Sequence, residues 1–382
     1  MKGWIDMNNS GHAIDQNVKK LGFGCMRLPM NGEEVDLAAF AEMADRFLAE
    51  GFCYFDTARV YLNGQSETAI RECVAKRYPR ERFLLTDKLS NALFSKEEEI
   101  RPLFEKQLES CGVTYFDYYL MHAQTKQIFE KYKRCRAYET ALALRDEGKI
   151  RHFGISFHDT AAVLAEILTE YPQIEVVQLQ LNYLDFDDPA VQAGRCYEVC
   201  QKFGKPVIVM EPVRGGSLAR LPEEAQKILA DLHGGSAASY AIRYAAGFEN
   251  VKMVLSGMSD MAQMTDNLSY MKSFQPLSVR EQEAVSRVCA IFRSMHLIPC
   301  TACRYCTDGC PKHIEIPNLF SCMNSVRLYK DWNASYYYHE VYTKNNGKAS
   351  DCIGCGKCEK ACPQHLPIRS LLRDVAKEFE TK

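Results

Sequence analysis

Short apolar runs alternate with amphipathic stretches along most of the chain from about residue 20. Runs of about four to eight apolar residues are typical of strands that are buried on both faces. The stretch 36–50 instead has its apolar residues at helical spacing, with Asp36 placed to cap the helix and Gly51 placed to end it. The runs that fit the strand pattern are 21–28, 52–58, 82–89, 116–123, 151–158, 175–184, 205–212 and 251–257.

Strands that alternate with helices predict a parallel sheet, because parallel neighbours need a long crossover rather than a tight turn. The runs and their helices occupy about 255 residues, a typical size for a (β/α)8 TIM-type barrel. A doubly wound open sheet is the alternative, but no Gly-x-Gly-x-x-Gly follows an early strand to bind a dinucleotide. Ser95 and Glu98 have capping-box spacing for the helix after the third run. We expect the α/β barrel to end near residue 275, followed by a helix over 278–297.

Four polar residues lie at or just after the ends of three consecutive strand-like runs. Asp56 closes the first of these runs, and Tyr61 follows it. Lys88 closes the next run, and His122 closes the third. Singly they have ordinary explanations, because an Asp beside a turn commonly forms a cap and a Tyr commonly packs. In a (β/α)8 barrel, however, the carboxyl ends of the strands carry the active site, so we expect the four side chains to converge.

These residue types suit proton transfer to a carbonyl oxygen. A tyrosine hydroxyl has an unperturbed pKa of about 10, and we expect the ammonium of Lys88 to lower the pKa of Tyr61 by favouring the phenolate. Asp56 would hold Lys88 charged and in place, and His122 would orient the substrate oxygen. The chemistry indicated is donation of a proton to a carbonyl oxygen while a second group delivers a hydride to the carbon.

The motifs FDTARVY at 55–61, TDK at 86–88 and MH at 121–122, in this order, resemble the aldo/keto reductase family. The similarity runs from LGFGCMRLP to about Tyr270, roughly two-thirds of the chain. It implies a cofactor, NADP or NAD, bound without a Rossmann fold, and a small-molecule carbonyl or alcohol substrate. It also implies a catalytic tetrad, with the tyrosine as general acid, made of Asp56, Tyr61, Lys88 and His122.

The same resemblance assigns cofactor contacts to residues at the ends of the later strands. The matching residues are Ser156 and Gln178 for the nicotinamide amide, Arg214, Gly215 and Gly216 for the pyrophosphate, Gly257 and Met258 for the phosphate-facing turn, and Asn267 for the adenine. Taken alone, the Gly215-Gly216 pair would be explained as a simple turn.

Three positions depart from the family pattern. Many members place an aromatic ring against the nicotinamide, where this chain has Met210. Many NADPH-using members place a Lys and an Arg around the 2′-phosphate, where this chain has Gly257 and Gln263. The choice between NADP and NAD is therefore open, and a flavin is an alternative cofactor.

Eight of the seventeen cysteines repeat one spacing. CTACRYCTDGCP at 300–311 and CIGCGKCEKACP at 352–363 both follow C-x2-C-x2-C-x3-C-P, the run of bacterial two-cluster ferredoxins. A zinc site commonly uses two separated pairs of ligands, and disulfides are rare in a reducing cytoplasm. The repeated spacing therefore predicts two [4Fe–4S] clusters.

The fourth cysteine of such a run ligates the other cluster, so each cluster would take three ligands from one repeat and one from the other. One ligand set is Cys300, Cys303, Cys306 and Cys362, and the second is Cys352, Cys355, Cys358 and Cys310. The segment between the repeats has a helical and aromatic character. We therefore expect an N-terminal extension over 1–17, the barrel over 18–275 and, over 276–382, a linker helix and a small, mainly helical iron–sulfur domain of ferredoxin type.

Composition narrows the class of partner. The 382-residue chain has a net charge of −2 and 25% charged residues, which gives no general attraction to nucleic acid or to a membrane surface. The start of the chain is polar, and no run approaches the roughly 18 apolar residues of a membrane-spanning helix. We expect a cytoplasmic protein without a signal peptide.

An iron–sulfur cluster passes one electron at a time, whereas a nicotinamide passes a hydride, and this difference leaves three hypotheses. The leading one is an aldo/keto-reductase-type oxidoreductase whose clusters exchange electrons with a ferredoxin or flavodoxin. In the second, the barrel holds a flavin, or the substrate itself, and electrons arrive singly from the clusters. In the third, the barrel is a nicotinamide-sensing scaffold and the clusters are structural. The sequence does not identify the substrate.

Overall fold

Eight parallel strands close into a barrel in the computed structural model, which describes residues 18–188, 191–232, 234–329 and 333–380. The strands in chain order are β1 (Leu21–Gly24), the antiparallel pair β2 (Met30–Asn31) and β3 (Glu34–Val35), and then β4 (Tyr54–Asp56), β5 (Leu84–Leu89), β6 (Phe116–Gln124), β7 (Ile150–Phe157), β8 (Val176–Gln180), β9 (Val207–Met210) and β10 (Val251–Ser256). The ring runs from β4 through β10 in sequence order, and β1 closes it between β10 and β4. Each strand-like run of the sequence contains one barrel strand, so the predicted (β/α)8 fold is confirmed.

Helices follow the barrel strands and continue into the C-terminal part of the chain. Their bounds are α1 (Leu37–Ala49), α2 (Gln65–Ile70), α3 (Ile100–Cys111), α4 (Lys126–Arg134), α5 (Ala137–Asp146), α6 (Ala161–Glu170), α7 (Ala193–Lys202), α8 (Glu223–Ala230), α9 (Ala237–Ala246), α10 (Met261–Met271), α11 (Val279–Ser294), α12 (Ile316–Tyr329), α13 (Asn333–Tyr336), α14 (Lys357–Ala361) and α15 (Ile368–Glu380). The extension predicted over 1–17 lies outside the described residues.

Helix α1 shows how local sequence and packing agree. The Asp36 carboxylate accepts a hydrogen bond of 2.9 Å from the backbone N–H of Ala39, which confirms the predicted N-cap. The buried face of the helix places Phe40 and Phe47 against Phe23 of β1, with ring centroids 5.4 and 5.6 Å apart. Such edge-to-face aromatic contacts fix the helix on the outside of the barrel wall.

The predicted pairing of Ser95 with Glu98 is wrong. Ser95 instead pairs with Glu99, whose carboxylate accepts from the Ser95 backbone N–H at 2.7 Å and from its hydroxyl at 3.0 Å. The reason is that Glu97–Glu99 form a 3-10 turn, so the α-helical spacing begins only at Ile100.

The chain divides into two compact units. Among the described residues, the first comprises the chain up to Asp188 together with Gln192–Pro212 and Ala238–Leu277, and the second comprises Val213–Ala237 and the chain from Ser278 onward. The second unit thus takes up a segment from inside the range predicted for the barrel, and the domain limits drawn from the sequence stay a prediction. In the described part of the chain, no helix combines the length and apolar character that crossing a membrane requires.

The second unit has its own apolar core, formed mainly by α12 and α15. Leu319 and Phe320 of α12 are fully buried, as is Val375 of α15. The ring of Tyr338 stacks on that of Phe379, with centroids 4.7 Å apart, and its hydroxyl bonds to Glu380. Cys306, Cys358 and Cys362 of the repeats belong to this core. The segment between the repeats contains α12 and α13, so its predicted helical character is observed.

Candidate active site and cysteine sites

Three neighbouring strands bring the predicted tetrad together in the first unit. Asp56 is the last residue of β4, Lys88 lies near the end of β5, and His122 lies near the end of β6. Tyr61 begins the 3-10 turn that follows β4. Because β4 pairs with β5 and β5 with β6, these strand ends adjoin one another at one mouth of the barrel.

Lys88 is the centre of this group. Its side chain is fully buried, and its Nζ donates to Asp56 Oδ1 at 2.6 Å, to the Thr57 carbonyl at 2.9 Å and to the Tyr61 hydroxyl at 3.3 Å. An ammonium has three protons to donate, and these three acceptors can satisfy all of them. A buried cation is tolerated only when it is paired and hydrogen-bonded in this way, and these contacts fix Lys88 beside Tyr61.

The pKa of Tyr61 is raised well above its ordinary value, and the lowering expected from the sequence is wrong. Burial is the largest cause, because it penalises the phenolate, and the charges of Asp56 and Glu211 act in the same direction. Tyr61 is only 9% exposed. The hydroxyl is therefore a neutral proton donor at rest, and Lys88 is positioned to stabilise the phenolate that donation would leave.

His122 is held neutral. Its pKa is lowered well below the ordinary value by burial and by the positive charges of Lys88 and His158. Its Nδ1 lies 2.6 Å from Ser90 Oγ, and its ring meets the ring of Tyr61 edge-on at 5.9 Å. Ser90 was missed by the sequence reading. It stands two residues after Lys88, so the alternation of a strand places both on the same face, and this signal could have revealed it.

Gln178 and Ser156 adjoin the tetrad on the opposite wall. Gln178 donates its amide to Asp56 Oδ2 at 2.9 Å, so both oxygens of Asp56 are engaged. Ser156 pairs in register with Gln178, and its hydroxyl accepts from the backbone N–H of Ala123 at 2.7 Å. Both side chains are buried, Ser156 near the end of β7 and Gln178 in the middle of β8.

The remaining cofactor candidates of the first unit lie at or just after the ends of β9 and β10 and in helix α10. Asn267 donates to Ser256 Oγ at 2.8 Å and accepts from Tyr270, so protein groups engage both ends of its amide. Gln263 bonds to Asp260, the N-cap of α10. The other candidates here are Met210, which ends β9, and Gly257 and Met258, which follow β10.

Glu211 is a further residue that the sequence reading missed. It follows Met210 directly and has a φ of +55°. Its Oε1 forms an ion pair with Arg27 Nη1 at 3.8 Å, and its side chain is 15% exposed. Its charge contributes to the raised pKa of Tyr61, which places it close to the tetrad. Because it lies in an irregular segment after the strand, no periodicity marked it.

The candidate pyrophosphate loop belongs to the second unit. Arg214, Gly215 and Gly216 all have positive φ angles, of 50°, 64° and 97°. A Cβ on Gly215 would lie 2.5 Å from the carbonyl oxygen of Thr301, in the loop between Cys300 and Cys303. Only glycine fits this close approach, so the loop packs directly against the first cysteine repeat.

Replacing Gly215 with Ala should destabilise the second unit by about 2 to 5 kcal/mol, the sum of the left-handed backbone penalty and the clash with Thr301. Gly204 is the matched control, because it has the same φ of +64° and no atom within 4 Å of a Cβ. Gly204→Ala should cost only the backbone term of about 1 to 2 kcal/mol. Native-state hydrogen exchange near each site measures both. Equal losses in the two variants would contradict the close approach.

Four cysteines from both repeats line one small pocket in the second unit. They are Cys310 from the first repeat and Cys352, Cys355 and Cys358 from the second. Cys355 is exposed, whereas Cys358 is buried with a pKa raised to about 11 by burial. Four soft sulfur ligands around one pocket fit an iron–sulfur cluster.

The other four cysteines also gather in the second unit. The pKa of the Cys306 thiol is raised by burial and then by the neighbouring sulfurs of Cys303, Cys300 and Cys362. In the described part of the chain, no three His, Cys, Asp or Glu side chains converge on one point as a single metal ion requires. The sulfurs near Cys306 thus include that of Cys362 from the other repeat, and the exchange of a fourth ligand between repeats stays a prediction.

A barrel with an Asp–Tyr–Lys–His group at its mouth defines a class of oxidoreductase, and comparison with known proteins agrees. The family model for the aldo/keto reductase family matches residues 20–288, and the model for a 4Fe-4S dicluster domain matches residues 299–367. The first match covers more than half of the chain. The protein therefore belongs to the aldo/keto reductase family and carries a C-terminal iron–sulfur cluster domain.

Individual relatives resemble the barrel part of the chain. An aldo-keto reductase of Mycolicibacterium smegmatis is 26% identical over 247 residues, which cover 64% of this chain and 79% of the relative. The holo form of aldo-keto reductase AKR11C1 from Bacillus halodurans is 25% identical with a TM-score of 0.58, covering 71% of this chain and 92% of that one. An aldo-keto reductase from Klebsiella pneumoniae in complex with NADPH shares the fold at 19% identity, with a TM-score of 0.57 and coverage of 71% and 91%.

Proposed function

We propose that the barrel reduces the carbonyl group of a small molecule, or oxidises the corresponding alcohol, with Tyr61 as the general acid and base. The observation that carries this proposal is the 3.3 Å contact between Lys88 Nζ and the Tyr61 hydroxyl, with Lys88 fixed by Asp56 at 2.6 Å. A neutral phenol beside a buried ammonium can release its proton and leave a stabilised phenolate.

The roles of the tetrad follow from this arrangement. In reduction, the Tyr61 hydroxyl gives its proton to the carbonyl oxygen as that oxygen gains negative charge. The neutral imidazole of His122, oriented by Ser90, offers the second polar contact to the same oxygen. Asp56 does not exchange protons in this scheme, because its oxygens are occupied by Lys88 and Gln178. A nicotinamide, when bound, supplies the hydride.

The nicotinamide cofactor, NADP or NAD, is proposed to contact Ser156 and Gln178. The NH2 group of Gln178 donates to Asp56. Its carbonyl oxygen is therefore the end suited to accept a hydrogen bond from the carboxamide of the nicotinamide. Two solved relatives of this fold hold NADPH or NADP. By resemblance, the proposed set also includes Met210, Arg214, Gly215, Gly216, Gly257, Met258, Gln263 and Asn267.

The second unit is proposed to hold two [4Fe–4S] clusters, one for each cysteine grouping. The cavity that mixes Cys310 with three cysteines of the other repeat supports this assignment. Clusters of this kind exchange single electrons, so we propose a ferredoxin or flavodoxin as the electron partner. A flavin stays the alternative for joining one-electron and two-electron steps.

The reduction reaction should show little pH dependence between about pH 6 and pH 9. Reduction needs the protonated form of Tyr61, and because the pKa of Tyr61 is raised, that form persists as the pH increases through this range. The pKa of His122 is lowered, so its imidazole likewise stays neutral down to about pH 6, the lower limit of this range. The measurement is kcat/KM for reduction of a carbonyl panel under anaerobic conditions. A fall with an apparent pKa of about 7 to 8 would show instead that Lys88 lowers the pKa of Tyr61.

Mass spectrometry of the cofactor released from anaerobically purified protein tests the cofactor assignment. Recovered NADP(H) or NAD(H) without a flavin supports the nicotinamide proposal. A recovered flavin would overturn it in favour of single-electron delivery from the clusters to the barrel. Titration with NADPH and NADH, following bleaching of the cluster absorbance, then shows whether the two units exchange electrons.

A further inference from the structure

A second polar group lies directly behind Lys88 and takes no part in the proposed chemistry. Asp87 precedes Lys88 in β5, and because successive strand residues point to opposite faces, its side chain leaves the barrel interior. There it meets Glu67 of α2 and Gln107 of α3. All three side chains are fully buried.

Each of the two carboxyl groups has one oxygen that is well supplied with permanent donors. Asp87 Oδ1 accepts from the Lys88 backbone N–H at 2.7 Å and from Gln107 Nε2 at 3.0 Å. Glu67 Oε2 accepts from Arg59 Nη1 at 2.7 Å, and Arg59 also donates to Ser110 at 3.0 Å. These bonds leave Glu67 Oε1 and Asp87 Oδ2 to be explained.

The two remaining oxygens have no strong permanent donor. Among the described residues, Glu67 Oε1 is buried without a conventional hydrogen-bond partner. Asp87 Oδ2 has only the thiol of Cys111, at 3.7 Å. Glu67 is nevertheless within hydrogen-bonding reach of Gln107 and of Asp87. Two buried carboxylates cannot face each other unpaired, but one proton between them would satisfy both oxygens.

The balance of charge around Asp87 and Glu67 also requires one bound proton. Ionised Asp56, Glu67 and Asp87 would face only two cations, Lys88 and Arg59, in a buried region. One bound proton makes the group neutral. Burial and the charge of Glu67 raise the pKa of Asp87 well above its ordinary value, in agreement with this count. The other titratable groups that face the pair are Cys111, Tyr119 and Tyr61.

We propose that Asp87 and Glu67 share one proton, carried on Asp87 Oδ2, and that the pair is a positioning device for Lys88. The proton leaves Asp56 as the only ionised carboxylate that competes for the ammonium of Lys88. Asp87 and Gln107 also hold the backbone of Lys88 from both sides, through its N–H and through its carbonyl at 3.0 Å. Tyr119 fixes Gln107 by donating to its Oε1 at 2.6 Å.

The positioning role rests on the proposed function of Lys88, whereas the shared proton does not. Infrared difference spectroscopy detects the proton directly, because a protonated carboxylic acid has a carbonyl stretch that carboxylates and amides lack. At about pH 8, far above the ordinary carboxyl pKa of about 4, the native chain should show this band. Asp87→Asn should remove it by removing the acid. Glu67→Gln should also remove it, because Asp87 then ionises and accepts from the new amide.

Activity separates positioning from mere packing. Asp87→Asn keeps a neutral group of the same shape with an N–H for Glu67, so kcat/KM should stay within about threefold of the native value. Asp87→Leu leaves Glu67, Gln107 and the Lys88 N–H without their partner, so kcat/KM should fall tenfold or more. If Asp87 positions Lys88, the activity that is lost in Asp87→Leu should be retained in Asp87→Asn.

Each outcome bears on one proposal. No protonated-acid band in the native chain, or a band that survives both Asp87→Asn and Glu67→Gln, overturns the shared proton. If one of these variants does not fold, the other decides the point. Equal activity of Asp87→Asn and Asp87→Leu overturns the positioning role. Full activity of a Tyr61→Phe variant with the band present would instead defeat the proposed function and leave the proton standing.

Discussion

Replacing Tyr61 with Phe should lower kcat/KM for carbonyl reduction by about 10²- to 10⁴-fold, the range that general acid catalysis contributes. The substitution removes only the hydroxyl that donates the proton. The loss should fall on kcat more than on KM, because the hydroxyl interacts most strongly with the oxygen as negative charge develops on it. The measurement is anaerobic steady-state reduction of a panel of aldehydes and ketones, with NADPH and with NADH.

The fold should survive this substitution. Lys88 keeps Asp56 and the Thr57 carbonyl as acceptors, so the free energy of unfolding should fall by only about 0.5 to 1.5 kcal/mol, the net worth of one hydrogen bond. Tyr138→Phe is a suitable control, because Tyr138 is also fully buried and its hydroxyl makes one bond of 3.0 Å, to Gln124. The Tyr138→Phe variant should be as stable as the Tyr61→Phe variant and should retain activity. Carbonyl reduction that is unchanged in Tyr61→Phe would contradict the assignment of the acid.

The fold and the tetrad were predictable from the sequence for a specific physical reason. Strands buried on both faces appear as continuous apolar runs, and polar residues interrupt such runs only where a strand ends. Asp56, Lys88 and His122 lie at three such ends. Because the carboxyl ends of the strands of a (β/α)8 barrel converge, these positions alone predicted that the side chains meet. The cysteine groupings were predictable because their spacing alone restricts the ligand geometry.

Other features of the site depend on distances that no periodicity encodes. The lowering predicted for the pKa of Tyr61 considered only Lys88, whereas burial outweighs the ammonium and raises the pKa. The side chain of Gln178 bonds to that of Asp56, although the two residues are 122 positions apart in the chain. No spacing or motif pairs Asp87 with Glu67 in the sequence, and only the packing of α2 and α3 against β5 brings the two side chains together. Similarly, nothing in Val213–Ala237 marked it as part of the second unit.

Removing Cys310 should abolish one cluster and spare the other, although Cys310 lies in the same repeat as Cys306. Cys310 lines the cavity formed by Cys352, Cys355 and Cys358, so Cys310→Ala should cut iron from about eight to about four atoms per chain. Cys306→Ala should remove the other cluster, because the sulfurs near Cys306 include Cys362. Iron and acid-labile sulfide are measured after anaerobic reconstitution.

Double variants make the exchange of ligands decisive. If Cys310 and Cys358 serve one cluster, Cys310→Ala with Cys358→Ala should lose no more iron than either variant alone. Cys310→Ala with Cys306→Ala should lose both clusters. Clusters confined to their own repeats would give the reverse pattern, because Cys306 and Cys310 would then share a cluster. Cys322→Ala is the control for a buried cysteine of the same unit outside the repeats, and it should keep all the iron.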